Sequence, residues 1–490
     1  MAFESFSTFI KELDRQEELV RITDPVSIDL EIAAAAEMEM KKAGGGKALL
    51  FEKPVLADGS TAAFPLAVNT LGSDRRMSIA LGVDSVKEVA DQLQFLLKAK
   101  PPTSFGDAWT LLKNGVDVIH ARPSNVKRAA CQDIVMTPEQ GGGGLSSLPV
   151  LKCWPQDGGP FVTFPQVFTQ DPDTGERNVG MYRMQVFDNW TTGMHWQLHK
   201  VAARHGRRYY EEGKPMPVAV VLGGDPLYTF AATAPLPDGL DEVLLAGFLR
   251  KKAVPLVECK TQPLKVPANA DIVLEGYVDP NEELRDEGPF GDHTGFYTPV
   301  DKYPAFHVTA ITHRSDAIYP ATVVGKPPME DFYMGDASVK IFLPVLKMNI
   351  PEIVDLTLPP EGVFHNLVFV SIKKQYPYQA FKVANGLWGM GQMMFSKVIV
   401  VVDEDVNVHN TSDVLFHICA NIDPERDTIF TKGPCDSLDH AQNVANIGTH
   451  AAIDATKKLP GEGYTRVWPE QCKHPQELIE KMGRILSKNT

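Results

Sequence analysis

Residues 176–205 hold the densest chemistry in the chain: Asn178, Arg183, His195, His199 and His205 share one short stretch with Trp190 and Trp196. Asn178 and His199 can supply an oxygen and a neutral imidazole to a divalent cation. Arg183 carries a planar fork of donors that suits a carboxylate or a phosphate. His195 and His199 stand four apart, the spacing that puts two imidazoles on one helical face, but Trp196 occupies the place of the companion glutamate in two-histidine zinc motifs. One histidine with Asn and Glu oxygens makes a harder donor set, better matched to Mn2+ or Mg2+ than to zinc. Glu242 is available to complete such a set, although taken alone it reads as a charge on a helix surface. Further on, Glu287-Gly-Pro-Phe-Gly-Asp292 places two acids on a run that its glycines and proline force to bend. Two acids brought close raise one of their pKa values and give a protonated donor near neutral pH. Plain loop acids, however, look the same in a sequence.

The elements that must position these groups emerge from periodicity. Asn178 and Arg183 fall in one strand-like run, Asn178–Phe187, where residues five apart point to opposite faces. Serving one cavity therefore requires a bulge at Gly180 or an arginine that curls round. Helical text at 195–212 and 238–252 carries the histidines and Glu242. Around this centre the chain divides into three. Residues 1–120 read as an α/β lobe with helices near 3–17, 28–43 and 84–99 and strands at 48–51 and 65–69. Residues 121–320 are dominated by strands (162–164, 218–222, 254–259, 272–278, 306–312) and read as a β-barrel or open sandwich with inserted helices. Residues 321–490 return to α/β, with strands at 366–372 and 397–402 and helices at 379–396, 411–421 and 475–487. The expected fold class is mixed α/β.

A chain of 490 residues with 22% charged and 43% apolar residues has the texture of a multidomain globular protein. Its net charge of −14, with no basic block to offset it, argues against a general binder of nucleic acid or anionic membranes. No run of 18 apolar residues and no secretory leader is visible, so a cytoplasmic location is expected. The six cysteines form no Cys-x-x-Cys pair and read as free thiols in a reducing compartment. Gly141–Gly144 lacks the Lys-Ser/Thr of a phosphate loop.

Four ordered motifs identify a relationship: Glu176-Arg-Asn-Val-Gly-Met-Tyr-Arg-Met-Gln, Met194-His-Trp-Gln-Leu-His-Lys, Pro237-Asp-Gly-Leu-Asp-Glu and Glu287-Gly-Pro-Phe-Gly-Asp-His-Thr-Gly-Phe-Tyr. Together they resemble the UbiD family of decarboxylases that depend on prenylated FMN, and the likeness runs on through Leu274-Glu-Gly-Tyr, Pro351-Glu-Ile-Val-Asp and Ile453-Asp-Ala-Thr-Lys-Lys-Leu-Pro. The resemblance implies a flavin-binding split barrel between the two α/β lobes. It also implies that Asn178, His199 and Glu242 hold a Mn2+ bridging protein and cofactor phosphate, with K+ close by. By the same resemblance, Arg183, Glu287 and Asp292 form the catalytic network, Asp292 being the proton donor. Met181, Tyr182, Arg183, His195, Trp196, Gln197, Lys200 and Val201 would line the flavin.

The activity implied by that resemblance is a reversible, non-oxidative decarboxylation of an aromatic or α,β-unsaturated acid. A hydroxybenzoate- or naphthoate-like quinone precursor is the leading substrate. The expected partners are a flavin prenyltransferase that supplies the cofactor and further copies of the chain in a dimer or hexamer. A polyprenylated substrate would add peripheral membrane contact. Two rival readings are a flavin-free Mn-dependent hydrolase and a flavin-binding subunit without turnover. One departure is Gly448-Thr-His450, where many relatives read Gly-x-Lys.

Overall fold

The computed structural model describes residues 2–98, 122–141, 143–196, 201–236 and 240–488. Helix α1 (Phe6–Arg15) opens with a capping box: Ser5 Oγ accepts the Thr8 N–H, and Thr8 Oγ1 accepts the Ser5 N–H, each at 3.1 Å. Phe6, Phe9, Ile10 and Leu13 recur at helical spacing and all are buried. Strand β1 (Leu19–Ile22), α2 (Glu31–Met40), β2 (Ala48–Phe51), β3 (Leu66–Val68), α3 (Asp74–Leu81) and α4 (Val86–Lys98) complete the N-terminal lobe.

The central region is built on a nine-stranded sheet. Its strands are β4 (Ile134–Met136), β5 (Phe161–Val162), β6 (Gln166–Gln170), β7 (Arg177–Gly180), β8 (Met184–Asp188), β9 (Thr191–Gly193), β10 (Met216–Leu222), β11 (Ile272–Val278) and β12 (Ala305–His313). They run in the order β7-β6-β10-β11-β12-β9-β8-β5, with β4 beside β12. Every contact along that path is antiparallel. Helices α5 (Val201–Glu212) and α6 (Glu242–Arg250) are inserted between strands. Asp241 caps α6, its carboxylate accepting the Val243 N–H at 2.8 Å, so this helix starts four residues later than the run at 238 suggests.

Strand β13 (Tyr319–Ala321) then leaves the central sheet and pairs in parallel with β3, which gives the N-terminal sheet the order β1-β2-β3-β13. Helix α7 (Glu330–Asn349) comes next and packs on α4. Its first residue, Glu330, is fully buried and accepts the Leu71 N–H at 2.7 Å across 259 residues of sequence.

The C-terminal lobe holds β14 (Ile353–Thr357), β15 (Leu367–Ile372), α8 (Gln379–Trp388), β16 (Val398–Asp403), α9 (Thr411–Asn421), β17 (Thr428–Pro434), β18 (Ile447–Asp454) and the terminal α10 (Gln476–Leu486). Its sheet runs β14-β15-β16-β18-β17, parallel at the centre and antiparallel at both edges. The run Val398–Val402 of β16 is apolar throughout because both faces of the strand are covered. Ile399 and Val401 pack with Val383 and Leu387 of α8, whereas Val400 and Val402 pack with Val414 of α9. The Ile453–Lys458 run forms a buried ionic knot: Lys374 Nζ reaches Asp454 at 3.2 Å and Glu462 at 2.7 Å, and Lys458 Nζ reaches Asp427 and Asp454 at 3.3 Å each. Among the described residues, no helix is long and apolar enough to cross a membrane.

Candidate active site

The run expected as one strand over 178–187 is two. Strand β7 pairs with β6, and β8 pairs with β5 and β9, with residues 181–183 irregular between them. The break lies at Gly180, where a Cβ would stand 2.3 Å from the Tyr182 hydroxyl oxygen, so only glycine admits that ring. The interruption frees Asn178 and Arg183 from opposite-face alternation, and each meets its own partners.

Arg183 is held by two acids. Its Nε and Nη2 donate to Glu287 Oε1 at 3.1 and 2.9 Å, its Nη1 donates to Asp292 Oδ2, and Nη2 also reaches Thr298 Oγ1 at 3.0 Å. The guanidinium lies over the Phe290 ring, 4.6 Å from its centre. Glu287 is completely buried and takes a further bond at Oε2 from His195 Nδ1, at 2.8 Å. Asp292 Oδ1 accepts both the His293 N–H (2.7 Å) and His293 Nδ1 (2.8 Å).

Proximity of the two acids does not produce a protonated donor here. Burial alone would push both carboxyls up. For Glu287 that effect is outweighed by the His195 hydrogen bond and the Arg183 charge; for Asp292, by His293 and then Arg183. Both end below the usual carboxylate range, because the cation sits between the acids and removes the like-charge repulsion that the sequence argument relied on.

The loop that carries the acids is gripped by a turn whose sequence announces no function. Asp157 Oδ1 accepts the Gly291 N–H at 2.8 Å, and its Oδ2 accepts the Cys153 and Trp154 N–H groups at 3.1 and 2.8 Å. The Gly158 N–H donates to the Pro289 carbonyl at 2.8 Å, and Gln185 Oε1 accepts the Gly288 N–H at 2.7 Å. A Cβ at Gly291 would meet the Trp154 ring at 2.2 Å, so loop and turn are in backbone-close contact. The sequence signal for this was Gln156-Asp-Gly-Gly-Pro, legible as a turn but silent about what the turn holds.

A cavity of about 1170 Å3 opens in front of Arg183, with walls from all three lobes. Met181, Tyr182, Arg183, His195, Asp292 and His293 form the polar end; α6, α7 and the C-terminal lobe supply an apolar remainder that includes Phe248, Phe342 and Met393. Trp196 packs into the main core and Val201 lies in α5; neither lines the cavity. Gln197, His199 and Lys200 lie outside the described residues. His195 and Trp196 are not helical, the described part of α5 runs from Val201, and the i, i+4 pairing with His199 lies outside the described residues. The His195 N–H donates to the Arg183 carbonyl at 3.4 Å, and its ring is committed to Glu287.

Asn178 and Glu242 are brought to the same place: Glu242 Oε2 accepts the Val179 N–H at 2.9 Å. Burial pushes the Glu242 carboxyl up to about 7, and the buried Asn178 Nδ2 has no hydrogen-bond partner. An acid with one donor beside an orphaned amide, whose oxygen and nitrogen are interchangeable by a flip, fits a hard cation. Among the described residues no cluster of three His, Cys, Asp or Glu side chains forms a metal site by itself. His450 is buried on β18, packs on Trp388 and donates from Nδ1, at 2.7 Å, to the carbonyl of Ser396, a residue of the cavity wall that His450 itself does not join.

A three-lobed mixed α/β chain with an arginine clamped by two acids at the head of a large apolar cavity has the architecture of an enzyme for small, largely apolar acids. Residues 10–96, 124–327 and 332–455 match the N-terminal, Rift-related and C-terminal domains of 3-octaprenyl-4-hydroxybenzoate carboxy-lyase. The chain belongs to the UbiD family and is a carboxy-lyase. It is 48% identical to uncharacterised proteins of Archaeoglobus fulgidus, over 99% of this chain and 98% of that one, and of Aquifex aeolicus, over 97% and 96%. Vanillic acid decarboxylase of Sedimentibacter hydroxybenzoicus, in its closed form, superposes with a TM-score of 0.85 over 99% of both chains at 27% identity. Its open form gives 0.79 at the same identity, over 99% of this chain and all of that one. The UbiD-class enzyme HmfF of Pelotomaculum thermopropionicum, solved with FMN, gives 0.78 over 95% and 97% at 25% identity.

Proposed function

We propose that this chain decarboxylates an aromatic or α,β-unsaturated acid with prenylated FMN, and that the acid is a hydroxybenzoate- or naphthoate-like quinone precursor. The observation that carries the reading is the Glu287–Arg183–Asp292 clamp at the polar end of a cavity large enough for a flavin and an aromatic acid together. Met181, Tyr182, Arg183 and His195 would flank the flavin, and Asn178 and Glu242, with His199, would hold Mn2+ at its phosphate. When bound, the prenylated flavin supplies an electron sink for the bond that loses CO2.

The protein's own part is orientation and one proton. A substrate carboxylate would compete with Asp292 for Arg183 Nη1, the one guanidinium nitrogen not bonded to Glu287. Glu287, locked by His195 on its other oxygen, keeps the guanidinium plane fixed while that exchange happens. Losing part of the Arg183 charge removes one of the influences that hold Asp292 ionised and shifts it toward the protonated form, with the His293 contact still opposing burial. Asp292 then gives its proton to the carbon that has lost CO2.

The test is protein co-expressed with a flavin prenyltransferase and purified without air. A modified flavin in the visible spectrum and mass spectrum, about one Mn per chain, and CO2 release from aromatic acids are the expected results. Asp292→Asn should lower turnover by about 100-fold or more with flavin content unchanged. Metal without flavin, together with flavin-independent hydrolysis, would overturn the reading.

A further inference from the structure

Decarboxylation of a carboxylate consumes one proton per turnover, since the C–C bond is replaced by a C–H bond and CO2 leaves neutral. If Asp292 delivers that proton, it must be recharged each cycle, yet it is 8% exposed and its oxygens are already occupied. Oδ2 faces Arg183, whose guanidinium does not give up a proton at any working pH. Oδ1 faces His293, whose Nδ1 donates to it at 2.8 Å. Of the side chains that bond Asp292 among the described residues, only His293 titrates in the physiological range.

From this geometry we infer that His293 is the group through which solvent protons reach Asp292. This rests on the decarboxylase reading above. His293 acts through Asp292 and does not touch the reacting carbon. In the step, the Nδ1–H bond of the His293 imidazolium breaks and an O–H bond forms at Asp292 Oδ1. The ring is left neutral with its remaining proton on Nε2, and on turning over it takes a proton from cavity water at the vacated Nδ1, which restores the imidazolium.

The surroundings of the ring suit a carrier. Asp292 lies on its own loop, Asp331 lies in the first turn of α7, and Asp436 comes just after β17; all three add negative potential at the ring. Burial alone would disfavour the charged ring, but the Asp292 bond and these three acids hold His293 above the ordinary histidine value. His365, from the loop before β15, packs against it at 5.3 Å between ring centres and donates from Nδ1 to the Val363 carbonyl at 2.8 Å. Burial and then the His293 charge drive His365 down to about 4, so the neighbouring ring stays neutral and does not compete for the proton. Asp331 Oδ2 is buried without a partner, and its carboxyl is pushed by burial to about 7. It stands as an exchangeable acid on the same cavity wall as His293.

The test compares wild-type holoenzyme with His293→Gln and His293→Ala, measuring CO2 release across pH 5–9 and deuterium uptake into product in D2O. Both variants are expected to retain flavin and metal but to turn over at least about tenfold more slowly, with the histidine limb of the pH profile gone. Added imidazole should restore His293→Ala through the cavity and leave His293→Gln unchanged, a pattern that a merely structural role does not produce. A second readout needs no cofactor: in histidine-labelled apoprotein the His293 ring should titrate above the ordinary value and shift down in Asp292→Asn. An active wild type whose His293→Gln variant keeps its rate and pH profile, or a His293→Ala variant indifferent to imidazole, overturns the proposal alone. A wild type that binds flavin and releases no CO2 from any acid overturns the function and the proposal together.

Discussion

At the scale of single residues, the site is a set of charges whose protonation is decided by who touches whom. Asp331 is the clearest test outside the clamp. Its Oδ1 accepts only the neighbouring Phe332 N–H, at 2.9 Å, and Oδ2 has no partner. Its folded pKa of about 7 lies above the unfolded value near 4, so its contribution to stability is complete below about pH 4 and is lost as pH rises through 7. Asp331→Asn removes that titration; thermal melts of the apoprotein should show wild type and variant nearly alike at pH 4 and the variant increasingly the more stable as pH rises to 8. Asp157 is buried too, and burial also pushes its carboxyl up, but it satisfies three backbone N–H groups at once. Asp157→Ala leaves those donors buried and unpaired, at a cost of about 1–3 kcal/mol each at most, seen as a lower Tm. It should also lower kcat more than it lowers flavin content, because the loop that carries Glu287 and Asp292 loses its anchor. Arg183, Glu287 and Asp292 could be picked out from the sequence because their types announce chemistry. Asp157 could not, because an acid in a Gly-rich turn looks the same whether it holds water or another loop. The protonation state was also out of reach of the sequence. It depends on Arg183 lying between the acids, a fact of three-dimensional order.

At the scale of elements, strongly periodic segments were legible, whereas the interruption at Gly180 could be asked for on functional grounds, as one of two alternatives, and not read from the pattern itself. Helix α9 and strand β11 occupy the ranges that periodicity indicated, since each is long enough for its pattern to outweigh its neighbours. The run through Asn178–Phe187 read as one strand because every residue in it tolerates extended backbone. What breaks it is the Tyr182 ring folding back on Gly180, a contact that propensity cannot express. Gly180→Ala should therefore act well beyond one methyl group. The added Cβ would stand 2.3 Å from the hydroxyl oxygen and displace the ring, along with the Met181–Arg183 wall. The expected result is a folded protein with impaired flavin retention and turnover, checked by the flavin-to-protein absorbance ratio.

At the scale of the whole molecule, the lobes are not beads on a string. Phe3 N–H donates to Asp225 at 3.0 Å, β13 completes the N-terminal sheet, and Glu330 ties α7 to Leu71. A fragment of residues 1–120 lacks all three partners, and it should show little protection in amide hydrogen exchange, whereas one extended through 350 should protect β2 and β3. The return of β13 to β3 also has a consequence in time. As the chain leaves the ribosome, the first lobe presents a sheet with an unfilled edge until some 250 further residues have been made, a long wait at ordinary rates of synthesis. Such an edge is a template for unwanted pairing. The yield of soluble protein should therefore depend on how fast the middle of the message is read and on which chaperones meet the nascent chain, although neither touches the finished enzyme.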